Sequence, residues 1–425
     1  MVLAINGGTP VRDVQNSPWP AWPMWGDEER TGLLEVLESG VWSYNGPKEQ
    51  EFLRRFQEYL GVKHALLVAN GTVSMQLALE ALDIGFGDEV IVPGITWQAT
   101  AAAVADVNAV PVLVDVEPDT WCMSPQSFEA AITSRTRAVI PVHLYGNIAD
   151  MDAIVEIARR HGLHVIEDAA HKHGAEWNGI RVGGLGDIGS FSMQLSKIMT
   201  AGEGGAVTTN DYELWYRLDA LRNCGRRPEN TETDKSSGDY GEEGDLIQSG
   251  NYRITEFQAA VLLGQLTRLE SLNRTRETNG RYLDSLLSAV PGCHPMKDDP
   301  RETKKSYFNY AFRIDEKELG ISVSLFRQAL SAELGIGVNA CYQPLNDCML
   351  YRPQTKKRHR LNDEYWDALN PARFELPESQ QAFHHTSVAL THRVLMGSSE
   401  DMEQIAEAVR KVIDNKKELR QRERG

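Results

Sequence analysis

The stretch HALLVANGTVSMQLALEALDIGFGDEVIVPG, residues 64–94, decides how the rest of the chain is read. HALLVA (64–69) is an aliphatic run of strand length, and TVSMQLALEALDI (72–84) spreads Met75, Leu77, Ala78, Leu79 and Leu82 over a broad helical face. GFGD then turns the chain into a second apolar run, EVIVPG (89–94). The alternation continues: TWQATAAAVADVN reads as a helix, VPVLVDV, RAVIPVHLY and LHVIED as strands, and DMDAIVEIARRHG as the helix before the last of these. Apolar strands separated by helices predict the α/β class, with a mainly parallel sheet covered on both faces. In such sheets ligands gather at the carboxyl ends of the strands.

The pattern changes after a helical stretch near residues 255–290. KSYFNYAFRID, the helix VSLFRQALSAEL, IGVNACYQP and a last helix opened by SSED, which resembles a capping box, predict a smaller α+β domain. The division is expected near residue 275, with 1–275 an N-terminal segment and large domain and 276–425 a small C-terminal domain. Two domains suit a chain of 425 residues. The polar, turn-rich RRPENTETDKSSGDYGEEGD (226–245) is too long for a passive connection. Lid, interface loop and disordered insertion are equal readings of it.

A net charge of −16, from 60 acidic and 44 basic residues, argues against a nucleic-acid or anionic-membrane surface. Cys122, Cys224, Cys293, Cys341 and Cys348 are odd in number and lack CxxC spacing, so neither a disulfide framework nor a zinc cluster is expected. The most apolar segment is broken by Asp106, Asn108 and Pro111, so no membrane span is expected either. The expectation is a cytoplasmic protein without a bound metal.

Lys197 lies in SMQLSKIMTAGEGG (192–205), amid small and apolar residues and five positions before a run holding three glycines. Desolvation frees a lysine amine, which then forms a Schiff base with an aldehyde. Pyridoxal 5'-phosphate is the cofactor that uses this, and it needs three more things. Asp168, closing LHVIED, offers a carboxylate for the pyridine nitrogen. Asn70, Gly71 and Thr72 follow a strand and open a helix, a place for a phosphate, and Ser192 adds a hydroxyl. Trp97, after EVIVPG, offers a flat group for the ring. Singly these residues also read as a strand-end cap, a tight turn, a core indole and a surface lysine; their order and joint placement at strand ends favour the site. A metal site on His171 and His173 lacks carboxylate or Cys partners at ligand spacing.

Six segments, NGTVSMQLALEAL, GDEVIVPGITWQATAAAV, IPVHLYG, VIEDAAHKHGA, SFSMQLSKIMTAGEGGAV and SGNYRITEFQAAV, together resemble the DegT/DnrJ/EryC1/StrS aminotransferases. The resemblance runs from about residue 40 to 270 and implies the fold-type I, aspartate-aminotransferase-like architecture with pyridoxal phosphate. It implies Lys197 as the Schiff-base lysine and Asp168 as the partner of the ring nitrogen. Gly71, Thr72, Val73 and Ser192 match the phosphate site, and Trp97 the stacked aromatic. His171 stands where many members have Gln near the ring hydroxyl. Asn251 matches an asparagine that reaches the neighbouring subunit's phosphate, which implies a homodimer with shared sites. The reaction implied is ping-pong transamination from an amino-acid donor to a ketone, with Lys197 as proton carrier.

Two subgroups share features with the chain. PAWPMWGDEER and DAAHKHGAEW resemble the 3-amino-5-hydroxybenzoate synthases, whereas VPVLVDVEPDTWCMSP, VIPVHLYGNIADMDAI and FHHTSVALTHRVLM resemble glutamine:scyllo-inosose aminotransferases. The expected acceptor is a keto-cyclitol or related keto-sugar, with L-glutamine as donor, in biosynthesis of an aminocyclitol or amino-sugar natural product. A nucleotide-linked keto-sugar and the aromatic-forming reaction are the alternatives, and a non-catalytic regulator a remote one.

Overall fold

In a computed structural model that describes residues 2–226 and 247–424, the strand–helix alternation closes into one seven-stranded sheet. Helices α1 (Asp27–Ser39) and α2 (Pro47–Leu60) lead into β1 (His64–Val68). There follow α3 (Gly71–Ala81), β2 (Glu89–Pro93), α4 (Ala99–Asp106), β3 (Val110–Val114), α5 (Pro125–Ala130), β4 (Thr136–Val139), α6 (Met151–His161) and β5 (His164–Asp168). A short hairpin, β6 (Glu176–Trp177) and β7 (Ile180–Arg181), precedes β8 (Ile188–Ser192), β9 (Gly205–Thr209), α7 (Tyr212–Arg222) and the long α8 (Glu256–Ser288). The sheet order is β1-β9-β8-β5-β4-β2-β3, parallel from β8 to β3, with β9 antiparallel to both its neighbours. Six of the described strands therefore share one carboxyl edge. The expected lid or interface loop at 226–245 lies outside the described residues except for Arg226.

The side-chain period of two divides the strands between two layers. Leu66, Val68, Val90, Val92, Leu113, Ile166 and Val207 pack on one face with Met75 and Leu79 of α3, Val104 of α4 and Leu218 of α7. Their alternates Leu67, Ile91, Val112, Val114, Val165 and Ala206 pack on the other with Phe52 and Phe56 of α2 and Ile154 and Ile157 of α6. Burial on both faces is why these strands read as unbroken aliphatic runs.

A second core lies behind an antiparallel sheet of Cys293–Pro295, Asn309–Ile314 and Ser387–Thr391, covered by helices Val323–Leu334 and Ser399–Asp414. Ser398 and Asp401 form the capping box read from SSED. The stretch IGVNACYQP adds to this sheet only the isolated bridge from Asn339 to Ala389. Helix α8 joins the two cores: Leu262, Leu266 and Leu269 pack in the first, Leu283 and Leu287 in the second. The division expected at residue 275 falls inside this 33-residue helix. Leu3 and Trp19 pack in the second core, so the N-terminal segment, grouped with the large domain in the sequence reading, lies on the smaller one. No described helix is long and apolar enough to cross a membrane.

Candidate active site

The shared carboxyl edge brings four separated segments together. Asp168 ends β5 and is buried; Thr100, in the first turn of α4, donates its hydroxyl to Asp168 Oδ2 at 2.8 Å, and the Ala170 amide donates to Oδ1 at 3.2 Å. These bonds fix the carboxylate and tie α4 to the end of β5.

Ser192 ends β8, and the chain then makes a loop before returning as β9. Within it Met193 N–H donates to Gly204 O at 2.8 Å, Leu195 N–H to Gly202 O at 2.8 Å and Lys197 N–H to Gln194 O at 2.8 Å. Gly202 takes φ +82° and Gly204 φ +157°, conformations that favour glycine and close the loop. Lys197 is half-buried, and its Nζ stands 4.3 Å from the centre of the Phe308 ring. Burial lowers its pKa from 10.5 to about 8, with the nearby Asp168 charge opposing the shift. A free amine is thus within reach near neutral pH.

At the start of α3 the Asn70 side chain accepts the Val73 amide at 3.0 Å. That cap occupies the Val73 N–H, one of the donors expected to face a phosphate. The amides of Gly71 and Thr72, as first residues of a helix, have no helical acceptor. Gly71 lies so near β8 that a Cβ on it would stand 2.7 Å from Ser192 Cβ. The absent side chain sets the Ser192 hydroxyl beside the helix start.

Aromatic rings wall the rest. His171 is buried between Phe308, 4.0 Å away at 19°, and Tyr145, 5.9 Å away at 18°. Its Nε2 lies 3.3 Å from the Tyr342 hydroxyl, and its Nδ1 has no partner among the described residues. Burial, then the Lys197 charge, holds its pKa well below the ordinary histidine value, so the ring is neutral. The Trp97 indole is left 47% exposed, tilted at 5.8 Å from Tyr342. Phe308, Tyr342, Tyr145 and Thr100 were missed in the sequence. Thr100 had a usable signal, as the residue three past Trp97 on a predicted helix; the others come from distant loops and strands.

Asn251 is not drawn into this cluster. It is exposed, its Oδ1 accepts the Arg253 amide at 3.2 Å, and the next residue, Tyr252, accepts the Ala69 amide at 2.8 Å beside the end of β1. Among the described residues no group of three or more His, Cys, Asp or Glu side chains is arranged to hold a metal ion.

The chain is similar to known proteins over nearly its whole length. The chain is 44% identical to an L-glutamine:2-deoxy-scyllo-inosose aminotransferase of Streptoalloteichus tenebrarius, covering 98% of this chain and 99% of that one. It is 42% identical to an L-glutamine:scyllo-inosose aminotransferase of Streptomyces griseus, covering 98% and 99%. Among solved structures, 3-amino-5-hydroxybenzoic acid synthase superposes with a TM-score of 0.79 at 34% identity, covering 93% of this chain and 99% of that one. The family model of the DegT/DnrJ/EryC1/StrS aminotransferases matches residues 23–410. The chain belongs to the DegT/DnrJ/EryC1/StrS aminotransferase family.

Proposed function

We propose that this enzyme moves the amino group of L-glutamine to a keto-cyclitol of the scyllo-inosose type, using pyridoxal phosphate and working as a homodimer. The chemistry is carried by one observation, a lysine amine held near pH 8 by burial at a strand edge that also presents an oriented carboxylate. The acceptor and donor rest on full-length similarity to two enzymes named for them. Aromatic surfaces from Phe308, Tyr145, Tyr342 and Trp97 suit the C–H faces of a neutral ring.

The residues fit pyridoxal phosphate. Asp168 suits the ring nitrogen, the amides of Gly71 and Thr72 with the hydroxyls of Thr72 and Ser192 suit the phosphate, and Trp97 and His171 suit the ring. The close packing at Gly71 leaves no side chain between that helix start and Ser192. When bound, the cofactor supplies an electron sink that weakens a substrate C–H bond. Lys197 Nζ, as the free amine, would hold the cofactor covalently and would serve as the base that moves a proton at the substrate carbon. The Asp168 carboxylate is held in place by the Thr100 hydroxyl and the Ala170 amide. His171, neutral and stacked on Phe308 and Tyr145, adds no charge to the site.

A second copy of the chain suits the exposed apolar edge of α1. Leu34 and Leu37, with Val41, Trp42 and Trp25, are exposed, and Trp42 O accepts the Glu256 amide at 3.0 Å. This edge therefore adjoins the segment that carries Asn251, which would complete the partner's phosphate site.

A half-reaction screen tests the substrate. Enzyme loaded with L-glutamine is mixed in turn with scyllo-inosose, 2-deoxy-scyllo-inosose and a nucleotide-linked 4-keto-hexose, and the absorbance of lysine-bound cofactor is followed. Rapid return with an inosose is expected; return with the nucleotide sugar alone would replace the proposed acceptor.

A further inference from the structure

Residues 18–26, PWPAWPMWG, cross the molecule as a strap pinned at three places. Trp19 is buried in the second core, its Nε1 donating to Leu334 O at 2.9 Å, with the Arg12 guanidinium 3.6 Å over the ring centre. Met24 O accepts from Gln265 Nε2 of α8 at 2.7 Å. Between them, Trp22 Nε1 donates to Leu195 O at 3.0 Å. Leu195 stands two residues before Lys197, and its own N–H is bound inside the lysine loop to Gly202 O. Its carbonyl is thus held from outside the loop, by Trp22.

Trp22 is held in turn. Its ring meets His392 edge-on, 4.6 Å between centres at 89°, and His392 N–H donates to Phe308 O at 3.2 Å, on the residue whose ring lies under Lys197 Nζ. On another side Arg276 of α8 lies 5.2 Å from the Trp22 ring centre. Arg276 is fully buried, and its Nη1 donates to Asn273 Oδ1 at 3.1 Å. Its Nε and Nη2 have no hydrogen-bond partner and no carboxylate pairs with it among the described residues. A buried guanidinium without an anion is costly, and an indole face is the kind of surface that offsets part of that cost.

We propose that Trp22 is a positioning residue for Lys197: through the Leu195 carbonyl it fixes the loop that aims the amine, with Arg276 and His392 holding the indole. The inference rests on Lys197 as the cofactor-bonding amine. The groups facing that amine are Asp168, the Phe308 ring and the two neutral histidines His171 and His173. Loosening the loop admits water to the amine and raises its proton affinity from about 8 toward 10.5.

The test uses Trp22→Phe, which keeps a ring for Arg276 and His392 but lacks the N–H donor. Cofactor-free wild type and variant are labelled with acetic anhydride across pH, and modification of Lys197 is read by mass spectrometry. Labelling of Lys197 at pH 7, taken relative to each protein's own plateau at high pH so that reagent access cancels, is expected to be lower in the variant by a factor of about 2 to 10, what one net hydrogen bond carries. With cofactor, kcat is expected to fall while KM for the ketone holds. Phe86→Leu, at an exposed ring between α3 and β2, should match wild type in both. Arg276→Lys should move the labelling in the same direction as Trp22→Phe. Equal labelling of wild type and Trp22→Phe, or a Trp22→Phe chain that fails to fold, would overturn the proposal. A wild-type Lys197 that borohydride fails to fix to pyridoxal phosphate would remove the proposed function instead.

Discussion

Lys197 is half-buried beside an aromatic ring, and its proton affinity follows from that place rather than from any neighbouring cation in sequence. A folded pKa of about 8 means that the free amine grows as pH rises through 8 and then levels off. Cofactor loading of the stripped enzyme should therefore rise with pH to a plateau with its midpoint near 8; a midpoint at the ordinary lysine value of 10.5 would refute the buried-amine account. The sign for stability follows from the same shift. Between about 8 and 10.5 the unfolded chain holds a proton the folded chain has lost, so this group makes stability rise with pH across that window. Lys197→Ala should cut turnover at least about a thousandfold with little change in thermal midpoint, because it removes the proposed nucleophile and proton carrier without opening the core. Asp168 and Lys197 were legible in the sequence through their joint placement, one closing a predicted strand and the other set among small and apolar residues in the segment before GEGG. Phe308, which faces the amine, was not: it sits in KSYFNYAFRID, where its spacing marks only a strand.

At the scale of elements, the site depends on how closely a helix start approaches a strand end. Gly71 opens α3 against β8, with its would-be Cβ 2.7 Å from Ser192 Cβ and 3.1 Å from Ser192 Cα. Neither atom belongs to a flexible side-chain tip, so Gly71→Ala must push α3 away from β8. The expected cost is about 1 to 3 kcal/mol in stability, read by thermal melting, together with weakened pyridoxal phosphate binding, read by titration. Unchanged cofactor affinity would show that this approach does not shape the phosphate site. NGT in the sequence promised a cap and a tight turn, and Asn70 does cap α3. That the cap occupies the Val73 amide and leaves those of Gly71 and Thr72 is a matter of backbone geometry that residue types do not encode.

At the scale of the molecule, α8 spans both cores and the N-terminal strap crosses back over them, so the two units share one frame. If Asn251 completes the partner's site, mixing inactive Lys197→Ala and Asn251→Ala chains should restore up to about one quarter of wild-type activity after subunit exchange, since half the dimers are mixed and each mixed dimer holds one intact site. A fully active monomer in sedimentation would exclude the arrangement. The sequence alone determined the α/β class, the order of strands and helices, and the family, because burial on both faces of a parallel sheet writes itself as aliphatic runs and strand ends carry the reactive residues. It also determined the cap at Ser398, a local bond between near neighbours. Only the tertiary structure decided that β9 reverses, that Leu3 and Trp19 join the second core, and that Trp22 and Phe308 meet at the lysine loop. The contacts of Trp19, Trp22 and Phe308 join residues more than a hundred positions apart, where no periodicity reaches and only the packing of the whole chain selects the neighbours.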